Sequence, residues 1–100
     1  MKRVFLTGAS SGIGEAIALE YASKGAHLWL AARREKELVR LVSEVEARGG
    51  TAVAVPLDVA NPDDVLAALT KADREGPGID IVIANAGVGT TDHTKSFEWA

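Results

Sequence analysis

Apolar residues fall along this chain in two alternating rhythms. Val4-Phe5-Leu6 is a short continuous apolar run closed by Thr7-Gly8, the pattern of a buried strand. Beyond it, Ile13, Ala16, Ile17 and Tyr21 recur at helical spacing and predict the buried face of a helix, with Glu15, Glu20 and Lys24 pointing elsewhere. Gly25 stands where that helix should stop. Residues 26–32, AHLWLAA, read as a second apolar strand. Leu38, Leu41, Val42 and Val45 then mark a second helix, which Gly49-Gly50 terminates.

TAVAVPLDV, residues 51–59, predicts a third strand, with Pro56 limiting regular pairing near its end. Asn61-Pro62-Asp63-Asp64 is a helix start: a capping side chain, proline at the first helical position, and acids facing the positive end of the helix dipole. Val65, Ala68, Leu69 and Ala72 predict its buried stripe, Gly76-Pro77-Gly78 breaks it, and IDIVIANAG is a fourth strand running into a loop.

The order is β-α-β-α-β-α-β. Strands apolar on both faces, joined by amphipathic helices, belong in a parallel sheet covered on both sides. Right-handed crossovers then predict one wing of a doubly wound, three-layer αβα fold with strand order 3-2-1-4. On this expectation the fourth strand is left as an open edge and the helix faces lack partners, so residues 1–100 are expected to be the first part of a longer domain, a naturally short chain that pairs with another subunit being the alternative.

Composition narrows the chemistry. Hydrophobic residues make up 47% and charged residues 25%, with a formal net charge of −3 and both signs mixed along the chain. This balance offers no nucleic-acid surface and no polybasic membrane patch. The sequence has no cysteine, which removes disulfides, thiolate nucleophiles and zinc–thiolate sites. The apolar run of MKRVFL is far too short for a signal peptide, and no stretch is long enough to span a bilayer, so a cytoplasmic location is expected.

The chemistry-bearing stretch is TGASSGIG, Thr7 to Gly14. It follows a strand and opens a helix, where free N–H groups and the dipole make an anion site. Gly8 permits a tight exit from the strand, Gly12 lets the backbone approach a pyrophosphate, and Gly14 allows the helix to pack closely on the sheet. Ser10 and Ser11 add hydroxyls that a phosphate or ribose can use. A plain turn enriched in small residues is the alternative, and the strand–loop–helix context favours the cradle.

The glycine spacing is G-x-x-x-G-x-G, and TGASSGIG resembles the cofactor motif of the short-chain dehydrogenase/reductase family. LDV at 57–59 and NAG at 85–87 resemble that family's next two motifs, in order, so the likeness runs over essentially all 100 residues. The resemblance implies a Rossmann-type fold and the N-terminal, cofactor-binding half of an oxidoreductase. It places Gly8, Ser10, Ser11, Gly12, Ile13 and Gly14 along the cofactor's phosphates and ribose. It places Asp58 on the adenine amino group with Val59 beside the ring, and Asn85, Ala86 and Gly87 in a supporting loop near the ribose. Without the resemblance, Asp58 and Asn85-Ala86-Gly87 also read as turn residues. The extended, nucleotide-sugar-modifying relatives of the fold usually carry T-G-x-x-G-x-x-G, which the spacing of Gly12 and Gly14 does not match.

At the end of the second strand, an acid would receive the ribose 2′-OH of NAD. Here the residues are Ala31-Ala32-Arg33-Arg34, with Arg33 nineteen positions after Gly14. A guanidinium holds a phosphate through paired, charge-assisted hydrogen bonds. NADP is therefore expected over NAD, with Arg33 the first choice for the 2′-phosphate and Arg34 the second. The competing reading makes them surface arginines in screened pairs such as Arg33–Glu37.

The resemblance also implies hydride transfer between nicotinamide and a carbonyl or alcohol, with a tyrosine acid/base and a lysine four residues later. The sole tyrosine, Tyr21, is followed four residues later by Gly25, and Lys24 has the wrong spacing. Tyr21 reads as core packing, no catalytic residue is assigned here, and the catalytic half is expected beyond Ala100. His27 and His93 have no second ligand at metal spacing. Phe97 and Trp99 fit either a helix covering the sheet or the border of a substrate pocket. A homo-oligomer follows from the resemblance alone, and a non-catalytic NADP sensor or scaffold is the alternative function.

Overall fold

The computed structural model describes residues 1–58, 60–75 and 77–85, together with the backbone of 94–98. Elements follow in the order β1 (Arg3–Thr7), α1 (Gly12–Ala22), β2 (His27–Ala32), α2 (Glu35–Ala47), β3 (Thr51–Pro56), α3 (Pro62–Asp73), β4 (Ile81–Asn85) and β5 (Thr94–Glu98). The sheet order is β3-β2-β1-β4-β5. The first four strands are parallel, giving the expected 3-2-1-4 arrangement with helices between strands.

Side chains alternate across β1, and that alternation builds both layers. Val4 and Leu6 join Leu28, Leu30, Leu38, Leu41 and Val45 in the core under α1 and α2. Phe5, on the opposite face, packs with Trp29, Ala72 and Val82 in the core under α3. Phe5, Leu6, Leu28 and Leu30 are completely buried, so each contributes on the order of 1.5–3 kcal/mol of apolar burial.

The helix signals act as their chemistry requires. Ser11 caps α1, its Oγ accepting from the backbone N–H of Gly14. Asn61 caps α3, its Oδ1 accepting from the N–H groups of Asp63 and Asp64, with Pro62 in the first turn. Gly25 adopts φ +77°, and the Ala26 N–H donates back to the Tyr21 carbonyl, ending α1 where glycine was expected to end it. Pro56 closes β3, which lies at the sheet edge where a missing N–H costs no ladder bond to a further strand.

Two expectations are corrected. The face of α1 against the sheet is Gly14, Ala18 and Ala22, whereas Ile13 is 59% exposed, Ala16 is exposed, and Ile17 and Tyr21 are half-buried. Close approach selects the small residues, and the larger apolar side chains fall beside the contact. They line a groove of about 670 Å³ that continues to Ile83. Secondly, β4 is not an open edge. β5 pairs with it antiparallel, from Ile81 opposite Glu98 to Asn85 opposite Thr94. Phe97 thus belongs to a strand rather than a helix, and an antiparallel edge strand is a common addition to a parallel sheet.

Candidate functional site

The loop between β1 and α1 gathers at the carboxyl ends of β1 and β4, and its three glycines answer to three different constraints. Gly8 adopts φ +66°, and a Cβ there would stand 2.1 Å from the Asn85 carbonyl oxygen. A Cβ on Gly14 would stand 2.1 Å from the Gly8 carbonyl oxygen. Both positions are therefore closed to side chains by the protein's own backbone. Gly12 differs: apart from its chain neighbours and the backbone of its own helix, no atom of the described residues lies within 4 Å of a Cβ built on it. Among the described residues, the corner in front of Gly12 is open.

The polar groups around that corner divide between structure and display. The Ser11 N–H and the Ser11 hydroxyl both donate to the Gly8 carbonyl, at 3.2 and 2.9 Å. The Ser11 Oγ also accepts from the Gly14 N–H and from Asn85 Nδ2, each at 3.0 Å. Ser11 thus ties the loop to α1 and β4 with its own hydrogen-bonding groups. Asn85, 3% exposed, completes the knot, its backbone N–H donating to Thr7 Oγ1.

Four N–H groups at a helix start lack partners within the helix. At α1, the Gly8 carbonyl takes that of Ser11, and Ser11 Oγ takes that of Gly14. The N–H groups of Gly12 and Ile13 have no acceptor among the described residues. The Ser10 hydroxyl likewise has no partner there. These donors, the positive end of α1 and the open corner at Gly12 suit an anionic group such as a pyrophosphate.

Arg33 and Arg34 follow β2 directly, and Arg34 occupies the capping position of α2 without a side-chain cap bond. Both are exposed, and among the described residues neither guanidinium has a carboxylate or hydrogen-bond partner. The alternative Arg33–Glu37 pair is not formed, because Glu37 is engaged by Arg40 at 3.2 Å. Arg40 also meets Glu15 at 2.9 Å and Glu44 at 2.6 Å. The Glu15 hydrogen bond, then that of Glu37, raise the Arg40 pKa above its ordinary value. Sequence reasoning missed this cluster. The α2 members share a helical spacing that was open to inspection, whereas Glu15 joins only through the packing of α1 on α2.

Asp58 follows β3 and is exposed, and its Oδ1 accepts from the Ala60 N–H at 2.9 Å, a local turn. Val59, Ala86, Gly87, His93 and Trp99 lie outside the described residues. Tyr21 stands along the α1 groove, away from the Gly8–Ser11–Asn85 knot. His27 is at the opposite end of β2, sharing a 2.7 Å hydrogen bond with Thr51 and meeting the Trp29 ring edge-on. Burial, then the nearby Arg3 charge, hold its pKa below 6.5. No group of three or more potential metal ligands occurs among the described residues. No helix among them is long and apolar enough to cross a membrane.

A loop so built, at the ends of parallel strands with a 3-2-1-4 order, is the arrangement of a Rossmann-type α/β fold. The family model described as short chain dehydrogenase matches residues 2–99, and the chain belongs to that family. A Myxococcus xanthus protein named as an uncharacterized oxidoreductase is 41% identical over 98 residues, covering 98% of this chain and 39% of its relative. The structure of L-sorbose reductase from Gluconobacter frateurii, complexed with NADPH and L-sorbose, superposes with a TM-score of 0.79 at 39% identity. That match covers 89% of this chain and 34% of the other. An NADH-dependent reductase complexed with NAD gives a TM-score of 0.76 at 28% identity, covering 85% and 36%. The chain thus spans little more than a third of the length of these relatives.

Proposed function

We propose that residues 1–100 form the cofactor-binding part of an NADP-dependent oxidoreductase that transfers hydride between a nicotinamide and a carbonyl or alcohol substrate. The observation that carries this reading is the corner at Gly12, open among the described residues and bordered by the N–H groups of Gly12 and Ile13, which have no acceptor among them. A pyrophosphate there would accept from those two N–H groups and from Ser10. Gly8, Ser11, Gly14 and Asn85 would act behind it, holding the loop in shape.

The guanidinium groups of Arg33 and Arg34, which have no partner among the described residues, favour a 2′-phosphate, and no acid at the end of β2 opposes one. The complex of L-sorbose reductase with NADPH supports the same choice by likeness. Asp58 keeps one carboxylate oxygen for the adenine amino group while the other holds its turn. Val59, Ala86 and Gly87 extend the adenine and ribose contacts on the strength of the family resemblance. The cofactor supplies the hydride when bound; this part of the protein binds and orients it. The residue that moves the proton is assigned to the protein outside residues 1–100.

The test is direct. Titrating the intact protein with NADPH should raise its melting temperature and shift the nicotinamide fluorescence, as selective binding to the folded state requires. No stabilisation at NADPH concentrations up to several millimolar would overturn the assignment.

A further inference from the structure

Arg40 joins the two helices whose starts carry the proposed cofactor site, α1 after the glycine loop and α2 after Arg33 and Arg34. Glu15 lies one residue past Gly14, in the first turn of α1, beside the positive end of the helix dipole and the N–H groups of Gly12 and Ile13, which have no acceptor among the described residues. Left alone, a carboxylate there would repel a phosphate and compete for those donors. Arg40 instead holds it with two N–H groups on two oxygens, Nη1 to Oε1 at 3.4 Å and Nη2 to Oε2 at 2.9 Å. The same Nη2 takes Glu37 Oε2 at 3.2 Å, and Nη1 takes Glu44 Oε2 at 2.6 Å. Glu37 sits three residues after Arg34, and Arg40 three further on, so these two members lie within about 9 Å along α2 of the arginine turn.

Ion pairs at such exposed sites contribute little to stability. They still act on an anion beside them, because charges within a Debye length, about 10 Å at moderate salt, interact. Without Arg40, Glu15 and Glu37 would stand uncompensated on the first turns of α1 and α2, and Glu15 would be free to turn toward the cradle.

We propose that Arg40 is a specificity-determining positioning residue: by turning Glu15 toward α2 and offsetting Glu15 and Glu37, it lets the site accept a cofactor carrying the extra 2′-phosphate. This rests on the NADP-binding reading above. The residue touches no cofactor; it acts through Glu15 and Glu37.

Dissociation constants for NADPH and NADH are measured on the intact protein at about 50 mM salt, with melting temperatures of the free proteins alongside. Arg40→Gln, which keeps a good helix former on the surface, should weaken NADPH about fivefold and NADH no more than about twofold. High salt should shrink the difference. Adding Glu15→Gln to Arg40→Gln should return NADPH affinity to within about twofold of wild type, and Arg40→Lys should keep most of it. An unchanged NADPH-to-NADH preference in Arg40→Gln overturns the inference, as does a double variant as weak as the single one. Wild-type protein that binds neither cofactor overturns the NADP reading itself and this inference with it. Wild-type binding with unresponsive variants overturns this inference alone.

Discussion

The carbonyl oxygen of Asn85 occupies the place where a side chain on Gly8 would begin, 2.1 Å from a Cβ built there. Two segments 77 residues apart in sequence thereby meet backbone to backbone at the ends of β1 and β4. Gly8→Ala combines this clash with a positive φ that alanine adopts only under strain, and should cost about 3 kcal/mol or more in urea unfolding. Gly14→Ala meets the Gly8 carbonyl in the same way and should cost a similar amount. A loss below about 1 kcal/mol in either variant would mean that the loop has room to move away.

Asn85 acts as the buried fastener of the same knot. Its Nδ2 donates to Ser11 Oγ at 3.0 Å and reaches the Gly8 carbonyl at 3.4 Å. Asn85→Ala should destabilise the protein by about 1–3 kcal/mol, the range for losing buried hydrogen bonds. It should also weaken NADPH binding by loosening the loop. Stability unchanged within about 0.5 kcal/mol would show that these bonds are replaced by water at no cost.

Arg33 carries the cofactor preference in this account. Arg33→Asp removes a guanidinium and places a carboxylate where NAD-binding sheets present one. NADPH should weaken by roughly thirtyfold or more, and NADH by less than about threefold, since the loss of a charge-assisted phosphate contact falls on NADPH alone. Equal losses for the two cofactors would show that Arg33 does not meet the 2′-phosphate.

Far from the site, His27 makes stability depend on pH. Burial and Arg3 lower its native pKa below 6.5, so the unfolded chain binds its proton more readily than the folded one. Stability contributed by neutral His27 is fully present above 6.5 and is lost as pH falls through that value toward the lower native pKa. His27→Gln should flatten the fall in melting temperature between about pH 7 and pH 5. An equally steep fall in the variant would place the effect on other groups.

Much of the fold was legible because local chemistry and tertiary packing agree. The Asn61-Pro62 start of α3, the Gly25 stop of α1 and the paired-face strands each carry their own instruction. The face of α1 was misread because spacing was weighed by large apolar side chains. The sheet instead selected Gly14, Ala18 and Ala22, a series at four-residue intervals that the sequence displays equally plainly. The β5 pairing escaped prediction because the end of the chain was read for helix starts and pocket borders, not for a strand returning beside β4.

The site divides along the same line. Its glycines could be named from the sequence, and their separate duties could not be proved there. Whether a glycine is required by the protein or by a ligand depends on what stands opposite it, and Asn85 opposite Gly8 is set only by the fold. The Ser11 hydroxyl, read as a donor for cofactor, is turned inward to Gly8 for the same reason.

Gly12 therefore tests the central claim most directly. Its missing side chain has no described neighbour to accommodate, and alanine is the better helix former by up to about 1 kcal/mol. The measurement is the NADPH dissociation constant of Gly12→Ala beside its melting temperature. The account predicts a melting temperature equal to or slightly above wild type and NADPH binding weakened at least tenfold, because the added methyl fills the place of the pyrophosphate. A folded Gly12→Ala protein that binds NADPH as tightly as wild type would contradict it.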